Sequence, residues 1–202
     1  MTKLNIPLKN VPILSIKNFH KFTKYQKDKI TKNLLNVKEL WDNQPNSNKS
    51  TTNFEILYNK NDKKYNDLIN GLYDKFYRVA QQLFNFTVSN RSKRICWTCI
   101  TNNKYYDFVP HNHIKSSTIN AVYYLNIPKV NKKLSGPIKF KVDNKWIHYQ
   151  PDNNELIFFP NYLIHDATKH NSKEWRISIN MEILCREDKD YIVQILDNKD
   201  KL

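Results

Sequence analysis

Beyond residue 86 the chain divides into short apolar runs separated by turn residues, and this spacing constrains the fold more than any other feature. The runs predict strands at 86–89, 93–101, 105–110, 118–126, 137–142, 145–149, 155–160 and 174–184, with a further one at 190–196. Turns fall at Asn102-Asn103, Asp143-Asn144 and Asp152-Asn153-Asn154. Asp143-Asn144, set between Phe140-Lys141-Val142 and Lys145-Trp146-Ile147, has the form of a tight hairpin. With 2 glycines in 202 residues, turns must rely on Asn, Asp and Pro.

The first part of the chain has a different period. Val11-Pro12-Ile13-Leu14-Ser15-Ile16 reads as a short edge strand, because Pro12 cannot donate to a ladder. Thr23-Lys24-Tyr25-Gln26 has the pattern of a capping box, and Ile30, Leu34, Val37 and Trp41 follow at helical spacing. Residues 42–53 form a polar loop, and 54–58 alternate like a strand. The clearest helix runs from about Asp62 to Phe84, with Tyr65, Leu68, Ile69, Leu72, Phe76, Val79, Ala80 and Leu83 as one apolar stripe. Gly71 weakens it slightly. Two helices followed by many short strands predict a mostly β protein with a double-stranded β-helix (jelly-roll, cupin-like) core and helices packed on one sheet. The expected organisation is a single domain over 1–202, with helical support over about 1–90 and the jelly roll over about 91–185.

Composition bounds the function classes. A hydrophobic content of 40% and an aromatic content of 13% agree with a folded core. The formal charge of +14 raises nucleic acid as a partner. The lysines form no dense block and no nucleic-acid motif accompanies them, so the charge reads as compositional drift. The N-terminal residues lack the apolar run of a signal peptide and no stretch has the length of a membrane span, so the expected location is cytoplasmic. Three cysteines suit a reducing compartment. Cys96-Trp97-Thr98-Cys99 is formally C-x-x-C, but in a strand its cysteines point to opposite faces and read as structural.

The chemistry concentrates between residues 110 and 183. His111 and His113 are spaced i, i+2, which on a β-strand puts both imidazoles on one face. His165 follows the apolar run Leu156-Ile157-Phe158-Phe159, and Arg176 opens the next one, Ile177, Ile179, Met181, Ile183. Two close histidines, a distant third and an arginine just beyond can hold a metal and an anionic co-substrate; three histidines alone accept iron, zinc, nickel or copper. Asp107 is a reserve carboxylate on the parity of His111, and Asp166 would face away from His165 on an extended backbone. His20, His148 and His170 read as structural or surface residues, while Trp97 and Tyr106 are candidates to line a pocket.

Residues 97–183, with P-H-N-H at 110–113, V-Y-Y-L-N at 122–126, F-P-N-Y-L-I-H at 159–165 and R-I-S-I at 176–179, resemble the 2-oxoglutarate/Fe(II)-dependent oxygenase superfamily. The resemblance is to the hydroxylase branch with an H-x-H…H…R motif, related to prolyl 4-hydroxylases. It implies Fe(II) held by His111, His113 and His165, with His113 where most relatives carry a carboxylate. Whether His113 or an acidic residue completes that set stays open at this point. It implies 2-oxoglutarate as co-substrate, its far carboxylate on Arg176 with Tyr124 and Ser178 beside it, and O2 as oxidant. The implied reaction hydroxylates a small-molecule or peptidyl substrate and releases succinate and CO2. Two departures stand out: Ile119-Asn120-Ala121 replaces the family's Ser-Gly before V-Y-Y, and Asn154-Glu155 replaces its glycine before the F-F-P strand. Two other readings compete. One is a three-histidine cupin-like metalloenzyme without 2-oxoglutarate; the other is a non-catalytic basic jelly-roll binding protein.

Overall fold

The computed structural model describes residues 2–3, 13–43, 45, 53–55, 62–84, 93–105, 109–115, 117, 119–131 and 133–184. Among these residues are two helices and twelve strands: β1 (Thr2–Lys3), β2 (Leu14–Ile16), α1 (Lys24–Asp42), β3 (Asn53–Glu55), α2 (Lys63–Phe84), β4 (Lys93–Thr101), β5 (Ile119–Asn126), β6 (Lys129–Val130), β7 (Lys133–Leu134), β8 (Ile138–Val142), β9 (Lys145–Tyr149), β10 (Leu156–Pro160), β11 (His165–Ala167) and β12 (Arg176–Leu184). Seven strands form the major sheet in the order β1-β2-β10-β5-β12-β4-β3, and β11-β8-β9 form the minor one. All described pairings are antiparallel.

Both helices begin where the sequence signals them. Thr23 Oγ1 accepts from the Gln26 amide at 3.3 Å and Gln26 Oε1 accepts from the Thr23 amide at 2.9 Å, the reciprocal capping box that opens α1. Asp62 Oδ1 accepts from the Tyr65 amide at 3.0 Å and caps α2. The helices cover one face of the major sheet. Tyr65, Ile69, Leu72, Phe76, Ala80 and Leu83 of α2 join Ile30 and Leu34 of α1 against Tyr123, Leu125, Phe158, Ile177 and Ile179. Phe76 stacks on Phe158 at 5.6 Å. Tyr73 and Tyr77 of α2, outside the expected stripe, are buried too, and Tyr73 donates its hydroxyl to the Glu182 carbonyl at 2.7 Å.

The opposite face of the major sheet packs on the minor one through Val122, Tyr124, Ile138, Phe140, Ile157, Phe159 and Leu163. Alternate residues of β5 and β10 therefore enter different cores, and this two-sided burial explains why their sequences read as continuous apolar runs. The hairpin joining β8 to β9 turns at Asp143 and Asn144, whose φ values of 47° and 60° are the left-handed pair such a turn requires. Asn154 has φ 66°, a left-handed turn that asparagine tolerates. On β4, Cys96 packs toward the helices while Cys99 lies on the opposite, inward side, as strand alternation requires. Among the described residues no helix is long and apolar enough to cross a membrane.

Several expectations shift. The strand at 54–58 is placed at Asn53–Glu55, and that at 11–16 at Leu14–Ile16. The run at 105–110 is not a strand at residues 105, 109 or 110. The sequence reading lacks the short pairs β6–β7 and the three-residue β11, all too brief to show a period. Strands at 86–89 and 190–196, most of the 42–53 loop, Tyr106 and Asp107 lie outside the described residues.

Candidate active site

β12 sets the polar axis of the site. Ile177, Ile179, Met181 and Ile183 point into the helix-side core, so Arg176, Ser178, Asn180 and Glu182 occupy the inward face at two-residue spacing. Arg176, Ser178 and Asn180 line one cavity with Trp97 and Cys99 of β4, Val122 and Tyr124 of β5, His111 and His165. The pairing of β12 with β5 slips by one residue between Ile177 and Ser178, a bulge beside the arginine and Tyr124.

His111 and His165 face each other across an isolated bridge. The His111 amide donates to the His165 carbonyl at 3.1 Å and the His165 amide donates back at 2.9 Å. His113 is not on a strand with His111: its amide donates to the Asn161 carbonyl at 2.7 Å and a turn follows at once. The expected shared strand face is thus replaced by a single bridge and a turn, because Pro110 and the Ile114-Lys115 turn interrupt the ladder. The imidazoles still converge. Ring centroids lie 5.1 Å apart for His111 and His113, 4.5 Å for His111 and His165, and 5.0 Å for His113 and His165. The three candidate ligand atoms fall within 4.8 Å of one another.

Hydrogen bonds set the tautomers. His111 Nδ1 lies 2.8 Å from the Val109 carbonyl and His165 Nδ1 lies 3.0 Å from the Leu163 carbonyl. A carbonyl only accepts, so both Nδ1 atoms carry the proton. His113 Nδ1 lies 3.3 Å from Glu182 Oε1. The Nε2 atoms of His111 and His165 keep their lone pairs, and the Nε2 of His113 sits 3.3 Å from that of His165. Burial, reinforced by the neighbouring histidines, pushes the His113 imidazole down to about 4 and that of His165 down to about 3. Convergent imidazoles, two of them with their outer nitrogens held on backbone carbonyls, are the donor set a divalent transition metal needs, and they fit Fe(II).

Arg176 is 2% exposed, and its Nε donates to the Gly136 carbonyl at 3.1 Å. Its guanidinium carbon stands 5.3 Å from the centroid of the Tyr124 ring. Among the described residues no carboxylate pairs with it. A buried cation without a counter-ion is costly, and the cavity in front of it is a place for an anion. The Tyr124 hydroxyl, fully buried, has no partner either. Gly136, with φ +86°, leaves room for the arginine, since a Cβ there would stand 2.9 Å from Arg176 Cδ.

Residues 95–182 match the family described as "Putative 2OG-Fe(II) oxygenase", a little under half the chain. Over that stretch the chain is similar to the 2OG-Fe(II) oxygenases. Solved structures of such oxygenases share its architecture at low identity. A prolyl 4-hydroxylase from Phytophthora capsici superposes with a TM-score of 0.59 at 10% identity over 87% of this chain, which covers 59% of that protein. A prolyl hydroxylase from Trichoplax adhaerens, solved with a hypoxia inducible factor peptide fragment, gives 0.55 at 16% identity, covering 85% of this chain and 83% of its own. JOX2, solved with 2OG, Fe and JA, gives 0.56 at 11% identity, covering 87% and 68%. These likenesses show a double-stranded β-helix fold. No curated protein matches the sequence. The cofactor pair of the family, Fe(II) and 2-oxoglutarate, agrees with the three-histidine cluster present here.

The residues singled out from the sequence thus fall together: His111, His113 and His165 in one cluster, and Arg176, Tyr124 and Ser178 in the cavity shared with His111 and His165. Trp97 lines that cavity as expected. Tyr123 turns the other way, donating its hydroxyl to the His20 carbonyl at 2.7 Å. Asp166, expected to face away from His165, is among the residues lining the cavity, with Oδ2 3.0 Å from Lys139 Nζ. His20 packs on Phe22 and His148 is exposed. His170 is buried with Nε2 3.4 Å from Thr101 Oγ1, close to the arginine. Sequence reasoning misses Gly136 and Glu182. The scarcity of glycine is a signal for the first, and the polar alternation of β12 is one for the second.

Proposed function

We propose that this chain is an Fe(II)- and 2-oxoglutarate-dependent dioxygenase that hydroxylates a small-molecule or peptidyl substrate. The observation that carries the reading is one cavity lined by His111 and His165 at one side and, on another part of its wall, by a buried arginine that no carboxylate among the described residues pairs with. His111, His113 and His165 hold the iron through Nε2. Arg176 takes the far carboxylate of 2-oxoglutarate with two parallel N–H donors, a contact a planar guanidinium is shaped for. Tyr124 gives its unpartnered hydroxyl to the same carboxylate, and Ser178, on the same strand face as the arginine, adds another. Bound together, iron and 2-oxoglutarate supply an O2-dependent oxidative decarboxylation that yields succinate and CO2 and delivers one oxygen atom to the substrate.

The rest of the chain orients and excludes. Val122 and Ile138 form apolar walls that keep water from the co-substrate. The bridge between His111 and His165 fixes two ligands against each other through the backbone, so neither depends on a mobile loop alone. Val109 and Ile114, 70% and 56% exposed, flank the half-buried His111 and mark the side from which the substrate reaches the metal. Relatives of this fold include one solved with a peptide and one solved with JA, which is why both substrate classes stand. The segment over about 1–90 serves as helical support within a single domain.

The test is turnover without the primary substrate. With Fe(II), O2 and 2-oxoglutarate, the chain should release CO2 and succinate slowly, and Arg176→Ala or His165→Ala should abolish the release. Release that persists in both variants would refute the assignment.

A further inference from the structure

Glu182 plays no part in the motif that suggested the oxygenase reading, yet its carboxylate lies against one member of the three-histidine cluster. It is 3% exposed at the end of the polar face of β12. Its Oε1 accepts from Trp97 Nε1 at 2.7 Å and lies 3.3 Å from His113 Nδ1. Among the described residues no lysine or arginine pairs with it. The other two histidines rest their Nδ1 protons on backbone carbonyls, whereas His113 Nδ1 faces a carboxylate.

We infer that Glu182 is the positioning carboxylate of the metal centre: it stands one imidazole behind the ion, holds His113 in the Nδ1–H tautomer, and supplies through that ring the negative charge a direct carboxylate ligand would give. The inference rests on the oxygenase reading and deepens it. Three neutral imidazoles leave the full double charge on a divalent ion, whereas an anion hydrogen-bonded to a ligand's far nitrogen raises that ligand's basicity. A buried carboxylate is tolerable only beside positive charge, and the ion seen through His113 provides it. The arrangement also accounts for histidine at position 113. An aspartate there would set a second carboxylate close to Glu182, and in the metal-free chain the pair would repel.

The test is Mn(II) titration by calorimetry, without oxygen or co-substrate, on the native chain and four variants. Glu182→Gln keeps an acceptor for Trp97 and His113 but removes the charge, and should weaken Mn(II) binding about tenfold. His113→Asp should bind more weakly than native. His113→Asp with Glu182→Gln should bind at least about tenfold more tightly than His113→Asp alone, a rescue that a merely structural role for Glu182 would not produce. His165→Ala serves as the control that the titrated ion is on the histidines. Native-like affinity in Glu182→Gln together with no rescue in the double variant, while His165→Ala abolishes binding, would overturn the role of Glu182 and leave the metal centre standing. Absence of Mn(II) binding by the native chain, or binding untouched by His165→Ala, would overturn both.

Discussion

The two glycines make a matched pair with opposite expected outcomes. Gly136 has φ +86°, and an added Cβ would stand 2.9 Å from Arg176 Cδ and 3.3 Å from Arg176 Nε. The left-handed backbone costs an alanine about 1–2 kcal/mol. Relieving the contact moves the arginine off the Gly136 carbonyl, a charge-assisted bond of about 1.5–3 kcal/mol. Gly136→Ala should therefore lose about 2–5 kcal/mol of stability, which for a chain of this size is a fall in Tm of roughly 5–15 °C. Because the displaced group is the proposed carboxylate anchor, 2-oxoglutarate affinity should fall at least about tenfold while metal affinity holds. Gly71, exposed in the middle of α2, meets nothing within 4 Å of an added Cβ. Gly71→Ala should gain about 0.5–1 kcal/mol, a small rise in Tm, and leave both affinities unchanged. Differential scanning calorimetry and co-substrate titration read both variants. A Gly136→Ala chain with native Tm and native 2-oxoglutarate affinity would refute the reasoning about the arginine cradle.

Other outcomes follow from the same geometry. Arg176→Ala should leave metal binding intact and weaken 2-oxoglutarate binding by at least about thirtyfold, since removing one partner of a buried charge pair costs about 2–5 kcal/mol; Arg176→Lys should recover only part, and calorimetry on the Mn(II) protein reads both. His111→Ala and His165→Ala should each abolish stoichiometric iron binding by elemental analysis. Acidification should destabilise the metal-free chain. The folded pKa values of His113 and His165, about 4 and about 3, lie below the ordinary value of 6.5, so the unfolded chain binds protons the folded one does not. That stability is present in full above about pH 6.5 and is lost as pH falls toward 4, by at most about 1.4 kcal/mol per pH unit for each histidine. Burial raises the Glu182 carboxyl and opposes this, one group against two. A urea midpoint that stays flat from pH 7 to 5 would contradict it.

Much of this architecture is legible in the sequence because its signals are local. β4 and β9 fall at 93–101 and 145–149 as the apolar runs require, and α1 and α2 begin at their capping residues. The burial of β5 on both faces leaves no alternation, so its identity as a strand rests on length and β-branched content rather than on period. What escaped is non-local. The i, i+2 rule gave the right partners for His111 and His113 through the wrong geometry: a bridge to His165 and a turn at Ile114-Lys115 bring the rings together where a continuous strand was expected. β11 is too short to announce itself, yet its register with Phe140 of β8 is what carries His165 to the site. Glu182 sits at the end of a strand whose other polar residues face the cavity, and only the fold shows that its partner is His113.

The central claim is that one cavity binds Fe(II) on its three histidines and 2-oxoglutarate against Arg176. Anaerobic addition of 2-oxoglutarate to the Fe(II)-loaded chain tests it directly, because chelation of the iron by the co-substrate gives a weak visible charge-transfer band. The account predicts that the band appears and saturates at one equivalent of 2-oxoglutarate per iron, and that its half-saturation moves to at least about thirtyfold higher 2-oxoglutarate in Arg176→Ala. An iron-loaded chain that shows no band at saturating 2-oxoglutarate would contradict it.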